Sequence, residues 1–419
     1  MSGLRRGMIL HPKHLKAFAA VCHEGSMKRA GESLRRSRSA VSYSIEELER
    51  DVGGKLFERH ERGMLPTEIG TVLLRRVEGA FAEMGRARQM LEDMAEVQGV
   101  KLLNAPIFAL SVGKRRLDVL LAFAELRHMG AVAARLGISQ PAVSLAVHDL
   151  DVSTGLPLFQ RADGVMRLTA AGEALLLHLK RALAELRHAG AEIAMLGGKI
   201  EGRVTVGALP FGGALILPVS IARLLAKYPN LHIGTVEGSF ETLAAGLWCG
   251  DIDLLVGALQ PVGQYTTLVS EKLFDDWIAI IARSGHPLAQ HPGVTLRDVL
   301  DARWVLPGEG TPTRSALTAV LDADGLPHPR VTVETSDPST IRGLLLESDL
   351  VTAAAQRIFH HDIQTGALVR LPLVSGAVHR SIGIFRRAPE RSSPGACLLM
   401  EELRAVGRTH AEWSGPPVG

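Results

Sequence analysis

The sequence predicts a multidomain chain, α in its first half and α/β in its second. Three observations carry this. The first 200 residues repeat themselves at an offset of 102. Each copy holds short amphipathic helices parted by tight turns and followed by a long helix. From Arg203 onward apolar strands alternate with helices, which predicts a parallel sheet with right-handed crossovers. At 419 residues the chain exceeds one ordinary core, and 46% hydrophobic with 22% charged residues is the balance of a folded protein.

Charge and cysteine usage narrow the class. Residues 1–199 carry 29 Lys+Arg against 22 Asp+Glu, about +7, and residues 200–419 carry 18 against 22, about −4. A basic half joined to a mildly acidic half suits a nucleic-acid-binding part attached to something else. Cys22, Cys249 and Cys397 lie too far apart for a disulfide framework or a CxxC metal knuckle, which points to a reducing, cytoplasmic setting. Cys249, beside Trp248, reads as a small buried hydrophobe. No apolar leader follows Arg5 and Arg6, and no run approaches 18 apolar residues, so no membrane span is expected.

The repeat is ungapped. AVSYSIEELE (40–49) lies over AVSLAVHDLD (142–151), and the register holds in both directions. Leu15 matches Leu117, Met27 matches Met129, Leu34 matches Leu136 and Ser37 matches Ser139. Further on, Gly53 matches Gly155, Leu56-Phe57 matches Leu158-Phe159, Arg59 matches Arg161, Thr67 matches Thr169 and Gly70 matches Gly172.

The second copy is the cleaner one. Leu117, Leu120, Leu121, Ala124 and Leu126 make one helical stripe, and Met129, Val132, Ala133 and Leu136 a second, short one. Gly137 closes the short helix, since glycine accepts positive φ. Ser139 then caps a third helix, Gln140–Asp151, with Pro141 in its first turn, where a missing N–H costs nothing. Short helix, glycine turn, capped helix is helix-turn-helix grammar. Leu158–Arg161 and Met166–Thr169 read as a two-stranded wing. Copy one has Arg35-Arg36 where copy two has Gly137-Ile138. The expectation is two tandem winged helix-turn-helix domains, 8–66 and 114–168. Long helices follow at Thr67–Val97 and Thr169–Leu196, with threonine N-caps and early acids Glu68 and Glu173. Residues 98–113, with Gly99, Pro106 and Gly113, read as a connector; residues 67–113 and 169–199 thus link the folded parts. On the second long helix, Leu175, Leu179, Leu183, Leu186 and Ile193 form a stripe. It suits packing onto the same chain and helix-to-helix dimerisation equally well.

The N-terminal part of the third helix is what such a motif presents to the major groove. In copy one this places Ser37, Arg38, Ser39, Ser42 and Tyr43 on the DNA, and in copy two Ser139, Gln140, Pro141, Ser144 and Leu145. Arg38 can donate two hydrogen bonds to guanine, and Gln140 suits adenine. Arg59, Arg62, Arg161 and Arg167 in the wings are candidates for backbone or minor-groove contacts. Any one of these alone reads as a solvated surface residue; the duplicated constellation reverses that. Copy one has the more basic surroundings (Lys28, Arg29, Arg35, Arg36) and is expected to make the stronger electrostatic contact. Glu46, Glu47, Glu49, Asp149 and Asp151 would repel phosphate, so either they face away or one copy binds poorly.

In the second half, Val204–Gly207, Leu231–Val236 and Ile252–Val256 read as strands around helices Leu215–Lys227 and Phe240–Cys249. A second unit supplies strands Trp277–Ile281, Trp304–Leu306, Val331–Glu334 and Leu350–Ala354. Strand Ser381–Phe385 and helix Ala396–Val406 return to the first unit. The result is a two-lobed α/β domain over 200–408, with ligands expected in the cleft at strand C-termini. Residues 409–419 are expected to be a disordered tail.

The stretches AVCHEGSMKRAGESLRRSRSAVSYSIEELERDVGGKLFER and RLGISQPAVSLAVHDLDVSTGLPLFQRADGVMRLTAAG resemble the N-terminal domain of LysR-type transcriptional regulators. The resemblance covers the whole chain. It departs in the duplication, since members of that family usually carry one such domain. It implies a regulator that binds double-stranded DNA, forms a homodimer or homotetramer and contacts RNA polymerase, with no cofactor or metal. It further implies a periplasmic-binding-protein-like effector domain for a small, often anionic, metabolite. By position the cleft would be lined by Pro210 and Phe211, Gly238 and Ser239, Gly257, Thr311 and Thr313, Thr335 and Ser336, and Thr352. The turn 307–313 would offer backbone amides and hydroxyls to a carboxylate, and cleft closure would move the linker helix.

Enzyme readings fare poorly. No GxSxG, HExxH or GxxxxGK[ST] string occurs, and the adjacent His360 and His361 diverge by about 100° on a helix and rarely share one ion. A ligand-independent architectural DNA-binding protein stays open as the alternative.

Overall fold

Leu15, Phe18 and Val21 recur at helical spacing and are buried, as are Leu117, Leu120 and Phe123 one repeat later. Each set is the dry face of a first helix. The computed structural model describes residues 12–413, apart from 62, 163–164, 210–212, 292, 373–377 and 389–390. Contacts divide the chain into two units, 1–202 and 203–419.

The first unit contains the same element order twice. Helices α1 (Pro12–Glu24), α2 (Met27–Leu34) and α3 (Arg38–Val52) lead to the hairpin β1 (Phe57–His60) and β2 (Gly63–Pro66), then to α4 (Glu68–Val97). Helices α5 (Lys114–Leu126), α6 (Met129–Leu136) and α7 (Gln140–Thr154) lead to β3 (Phe159–Ala162) and β4 (Val165–Leu168), then to α8 (Ala170–Leu196). The caps agree atom for atom. Ser37 accepts from the Ala40 amide at 3.2 Å, and Ser139 from that of Ala142 at 3.4 Å. Thr67 accepts from Gly70 at 3.0 Å and donates to the Lys55 carbonyl at 2.7 Å, while Thr169 does the same with Gly172 at 3.1 Å and Pro157 at 2.7 Å. A side chain at Gly70 would meet the Leu56 carbonyl oxygen at 2.3 Å, and one at Gly172 the Leu158 oxygen at 2.1 Å. Only glycine lets the long helix start so close to the wing.

Two differences between the copies are informative. Phe57 and Phe159 occupy one repeat position, yet Phe57 packs on Phe18 (5.5 Å between ring centroids) and Phe159 on Phe123 (5.3 Å). The aromatic partner has moved one helical turn and the wing stays anchored. At the turn after the second helix, Gly137 has φ 65° and its counterpart Arg35 has φ 53°. Copy one therefore makes the same left-handed cap with a residue that resists it.

The stripes on the long helices close on each other within the chain. Leu73, Val77, Ala80, Met84, Ala87 and Leu91 are buried on α4, and Leu175, Leu179, Ala182, Leu186, Ala189 and Ile193 on α8. Each large side chain so buried is worth roughly 1.5–3 kcal/mol relative to exposure. Of the two uses open in the sequence, packing onto the same chain is observed. Leu183 is only half-buried; the alanines at 182 and 189 take the seam positions instead. The connector is also more than a tether. Ala105, Ile107, Phe108, Leu110 and Val112 are buried around a short 3-10 turn at Pro106–Ala109, and the Leu103 amide donates to Thr154 at 2.9 Å.

The second unit is one sheet with helices on its faces. Its elements are β5 (Gly202–Ala208), α9 (Gly213–Lys227), β6 (Leu231–Glu237), α10 (Phe240–Cys249), β7 (Leu254–Ala258) and β8 (Val269–Arg283). Then come α11 (Leu296–Leu300), β9 (Arg303–Leu306), α12 (Pro312–Ala323), β10 (Val331–Glu334), α13 (Pro338–Glu347) and β11 (Leu350–Ala355). Last are α14 (His360–Gln364), β12 (Leu368–Arg370), β13 (Val378–Arg386) and α15 (Pro394–Trp413). The strand order is β10-β9-β11-β8-β13-β7-β5-β6, with β12 also paired to β8. Within the lobes β5 and β7, β9 and β10, and β9 and β11 run parallel, as expected. The antiparallel pair β8–β13 crosses between lobes: β13 pairs with β7 over Ile382–Arg386, and β8 pairs with β11 over Ile278–Ile281. Strand β8 starts eight residues before the expected Trp277, because Val269–Phe274 are held by β13 on backbone bonds rather than by an apolar run. Helix α15 returns to the first lobe, with Glu402 on Lys227 and Arg404 on Glu271. It also runs to Trp413, so residues 409–413 are helical and not a disordered tail.

Candidate nucleic-acid interface and effector cleft

The candidate DNA readers lie on the outer face of α3 and α7. Arg38, Ser39, Gln140, Pro141 and Ser144 are exposed, and Ser37 and Ser139 are exposed caps. Val41, Ile45 and Leu48 point into the core beneath α3, and Val143, Ala146 and Leu150 beneath α7. Ser42 is half-buried and donates to Glu46 at 3.0 Å. Tyr43 and Leu145 share one repeat position and remain 56% and 60% exposed. Large apolar side chains left open on two equivalent helices suit contact with a thymine methyl. The hydrogen bond and charge of Glu47 push the Tyr43 phenol above its ordinary pKa. Arg59, Arg161 and Arg167 are exposed on the hairpins; Arg62 lies outside the described residues.

The acids are accounted for. Glu49 accepts from the Leu56 amide at 3.0 Å and its counterpart Asp151 from the Leu158 amide at 2.7 Å, so both brace the wing. Asp149 is held by Arg116 at 2.6 Å, and Glu47 by Arg50 at 2.8 Å. Glu46 alone of these is exposed, beside Ser42.

In the second unit the expected positions fall at strand carboxyl ends. Gly238 and Ser239 follow β6, Thr335 and Ser336 follow β10, and Thr311 precedes α12 beyond β9. Ser239 is exposed and caps α10 by accepting from Thr242 at 3.3 Å. Thr335 accepts from the Asp337 amide at 3.2 Å, and Ser336 is half-buried. The Thr311 hydroxyl donates to the Gly308 carbonyl at 2.7 Å. Gly257 sits inside β7 at φ 156°, where a side chain would meet Leu209 at 2.4 Å. Pro210 and Phe211 lie outside the described residues.

Thr313 and Thr352 are placed differently from the expectation. Thr313 is 2% exposed and its hydroxyl accepts from Arg380 Nη1 at 2.7 Å. Thr352 is fully buried in mid-strand, with no partner for its hydroxyl among the described residues. Arg380 was not singled out in the sequence, although a signal existed. Val378, Arg380 and Ile382 share the inward phase of β13, so a charge there must find a buried partner. That partner is Asp276 on β8, at 3.1 and 3.3 Å. Burial pushes the Asp276 carboxyl above its usual range against the pull of Arg380. Alongside, Ser381 donates to Asp275 at 2.8 Å and Trp277 packs on His379 at 5.1 Å. The strands that join the lobes are thus tied by polar and aromatic pairs.

Other chemistry is accounted for. Asp362 is clamped by Arg342 at 2.6–3.0 Å, while His360 and His361 are exposed. Cys249 is half-buried, donating to the Asp251 carboxylate at 3.2 Å, rather than fully buried. Among the described residues no group of three His, Cys, Asp or Glu could hold a metal, and no single helix is long and apolar enough to cross a membrane.

Two recognition helices over capped wings, joined to a two-lobed α/β sheet, define a DNA-binding regulator with an effector domain. The model of the bacterial regulatory helix-turn-helix protein, lysR family, matches residues 12–71 and again 115–173, and that of the LysR substrate binding domain matches 197–408. The chain belongs to the LysR family of transcriptional regulators, which are not enzymes.

Among its relatives is the HTH-type transcriptional regulator GalR of Pseudomonas putida, 39% identical over 392 residues, covering 94% of this chain and 96% of GalR. An alignment of that extent includes both copies of the repeat. The HTH-type transcriptional regulator PcaQ of Agrobacterium fabrum is 28% identical over 295 residues, 69% of this chain and 93% of PcaQ. Of solved structures, CbnR, a LysR family transcriptional regulator, superposes with a TM-score of 0.54 at 19% identity, covering 71% of this chain and 99% of its own. That likeness shows the fold.

Proposed function

We propose that both winged helix-turn-helix modules bind double-stranded DNA and that the α/β domain senses a small anionic metabolite. The observation that carries the first part is the doubled reading face: Ser37–Tyr43 and Ser139–Leu145 stay open above cores built on the same positions. The anion preference is supported by the N-terminal turn of α12, whose dipole and amides favour a carboxylate within one Debye length, about 8 Å. Thr311, Thr335 and Ser336 supply hydroxyls after β9 and β10, and Ser239 one after β6 in the other lobe. The protein works as a homodimer or homotetramer in the cytoplasm and acts on transcription through RNA polymerase.

The test is a gel-shift titration of the gene's own upstream region at two salt concentrations. Several phosphate contacts give a steep fall in affinity with salt. Salt-insensitive binding, or equal binding to random DNA, overturns the reading. For the effector, Trp277 on the crossing strand is the reporter: small carboxylates that close the lobes alter its emission. Unchanged fluorescence and unchanged operator binding across a carboxylate panel favour the architectural alternative.

A further inference from the structure

The seam between α4 and α8 obeys the repeat. Along α4, Arg76 meets Glu185 and Glu192 while Glu83 meets His178, so the two helices run antiparallel. Moving each residue of the Arg76–Glu185 pair (2.7 Å) by 102 positions, and so exchanging the helices, gives His178 and Glu83. These stand at 2.8 Å. The same operation on Arg76–Glu192 gives His178 and Met90, which stand at 3.2 Å. Each of the six buried positions Leu73, Val77, Ala80, Met84, Ala87 and Leu91 on α4 has its buried counterpart on α8. Contacts in which i–j recurs as its exchanged pair are the mark of a pseudo-two-fold axis between the two parts. Here that axis is internal to one chain.

Two reading helices related by a two-fold axis match the dyad of a duplex carrying two half-sites. We infer that a single chain lays α3 on one half-site and α7 on the other, and that its operator is a pseudo-palindrome with unlike halves. The inference rests on the DNA-binding role proposed above. The halves differ because the outward residues differ. Arg38 occupies the repeat position held by Gln140 in copy two, Ser39 that of Pro141, and Tyr43 that of Leu145. One half therefore takes guanine through Arg38. The other takes adenine through Gln140, with a thymine methyl against Leu145. Ser37 keeps its identity as the exposed cap Ser139, so that part of the half-sites is read alike, whereas Ser42 is half-buried on Glu46 and Ser144 is exposed. With the seam stripe already covered inside the chain, the DNA-binding pair forms without a second copy.

Random-sequence selection on the full-length chain tests this, followed by footprinting of the shortest selected duplex with Arg38→Ala and Gln140→Ala. Both side chains are exposed, so folding is retained. The expected result is two unlike half-sites. Arg38→Ala loses about 5- to 150-fold preference at one base pair in one half only, and Gln140→Ala does so in the other half only. Symmetric half-sites that both respond to Arg38→Ala, with Gln140→Ala silent, overturn the inference, because two chains would then present the same copy. Failure to select any sequence is a different outcome and removes the DNA-binding reading itself.

Discussion

Arg76 of α4 and Glu185 of α8 meet at 2.7 Å across the helix seam, and Glu192 closes on the same guanidinium from two helical turns further on. The guanidinium is buried among apolar neighbours, so its two carboxylates are what make its charge tolerable.

Arg76→Ala removes the cation and leaves two acids facing a dry stripe. The expected cost is about 3 kcal/mol, at the lower end for breaking a buried pair because Glu192 keeps some solvent. Chemical denaturation measures it. Affinity for operator DNA falls in parallel, since the seam sets the spacing of α3 and α7. A change under about 0.5 kcal/mol, typical of surface sites, rules out the seam as a stabilising element.

Acid acts on the same contact. Burial pushes the Glu192 carboxyl up, yet the hydrogen bonds and charges of Arg76 and Arg75 outweigh it and hold the group below its ordinary 4.5. A carboxyl lowered in the folded state stabilises the fold above that ordinary value and loses the contribution as pH falls through the folded value. Thermal melts from pH 7 to 3 therefore show acid loss that is shallower in Glu192→Gln. Identical acid slopes in both proteins contradict this.

Arg35 sits in the left-handed region where copy two uses Gly137. Arg35→Gly relieves strain of about 1 kcal/mol and raises the melting temperature. The same change shows whether the side chain touches phosphate, because the slope of log affinity against log salt then drops by about one. A lower melting temperature means the arginine makes a stabilising contact that outweighs the backbone.

Thr313 gives Arg380 an acceptor inside the second unit. Thr313→Val leaves a buried donor without it, costing about 1–3 kcal/mol, and Thr313→Ser restores most of the loss. A reporter dose–response run beside the melt separates two roles. Unchanged stability with a blunted metabolite response assigns the hydroxyl to the ligand instead.

The module architecture was readable in the chain because local physics specifies it. Ser37 and Ser139 cap, Gly70 and Gly172 permit close approach, and the stripe spacing makes each helix one-sided, all within a few residues of sequence. Arg380 lies one residue outside the strand expected from sequence, Ser381–Phe385, so its in-phase burial went unread, and so did its partner. Asp276 lies 104 residues away, and only strand pairing brings the two together. The connector 98–113 read as a loop because proline and glycine break helices whether or not the segment packs. Strand β8 was seen only where its side chains are apolar, since backbone pairing with β13 leaves no periodic mark. The use of the α4 and α8 stripes was likewise undetermined. An apolar stripe fixes that a helix must be covered, not by what. Sequence alone determined two copies of a helix-turn-helix module and a two-lobed α/β domain; tertiary structure decided that the modules cover each other, because burial is non-directional until chain geometry selects the partner within reach.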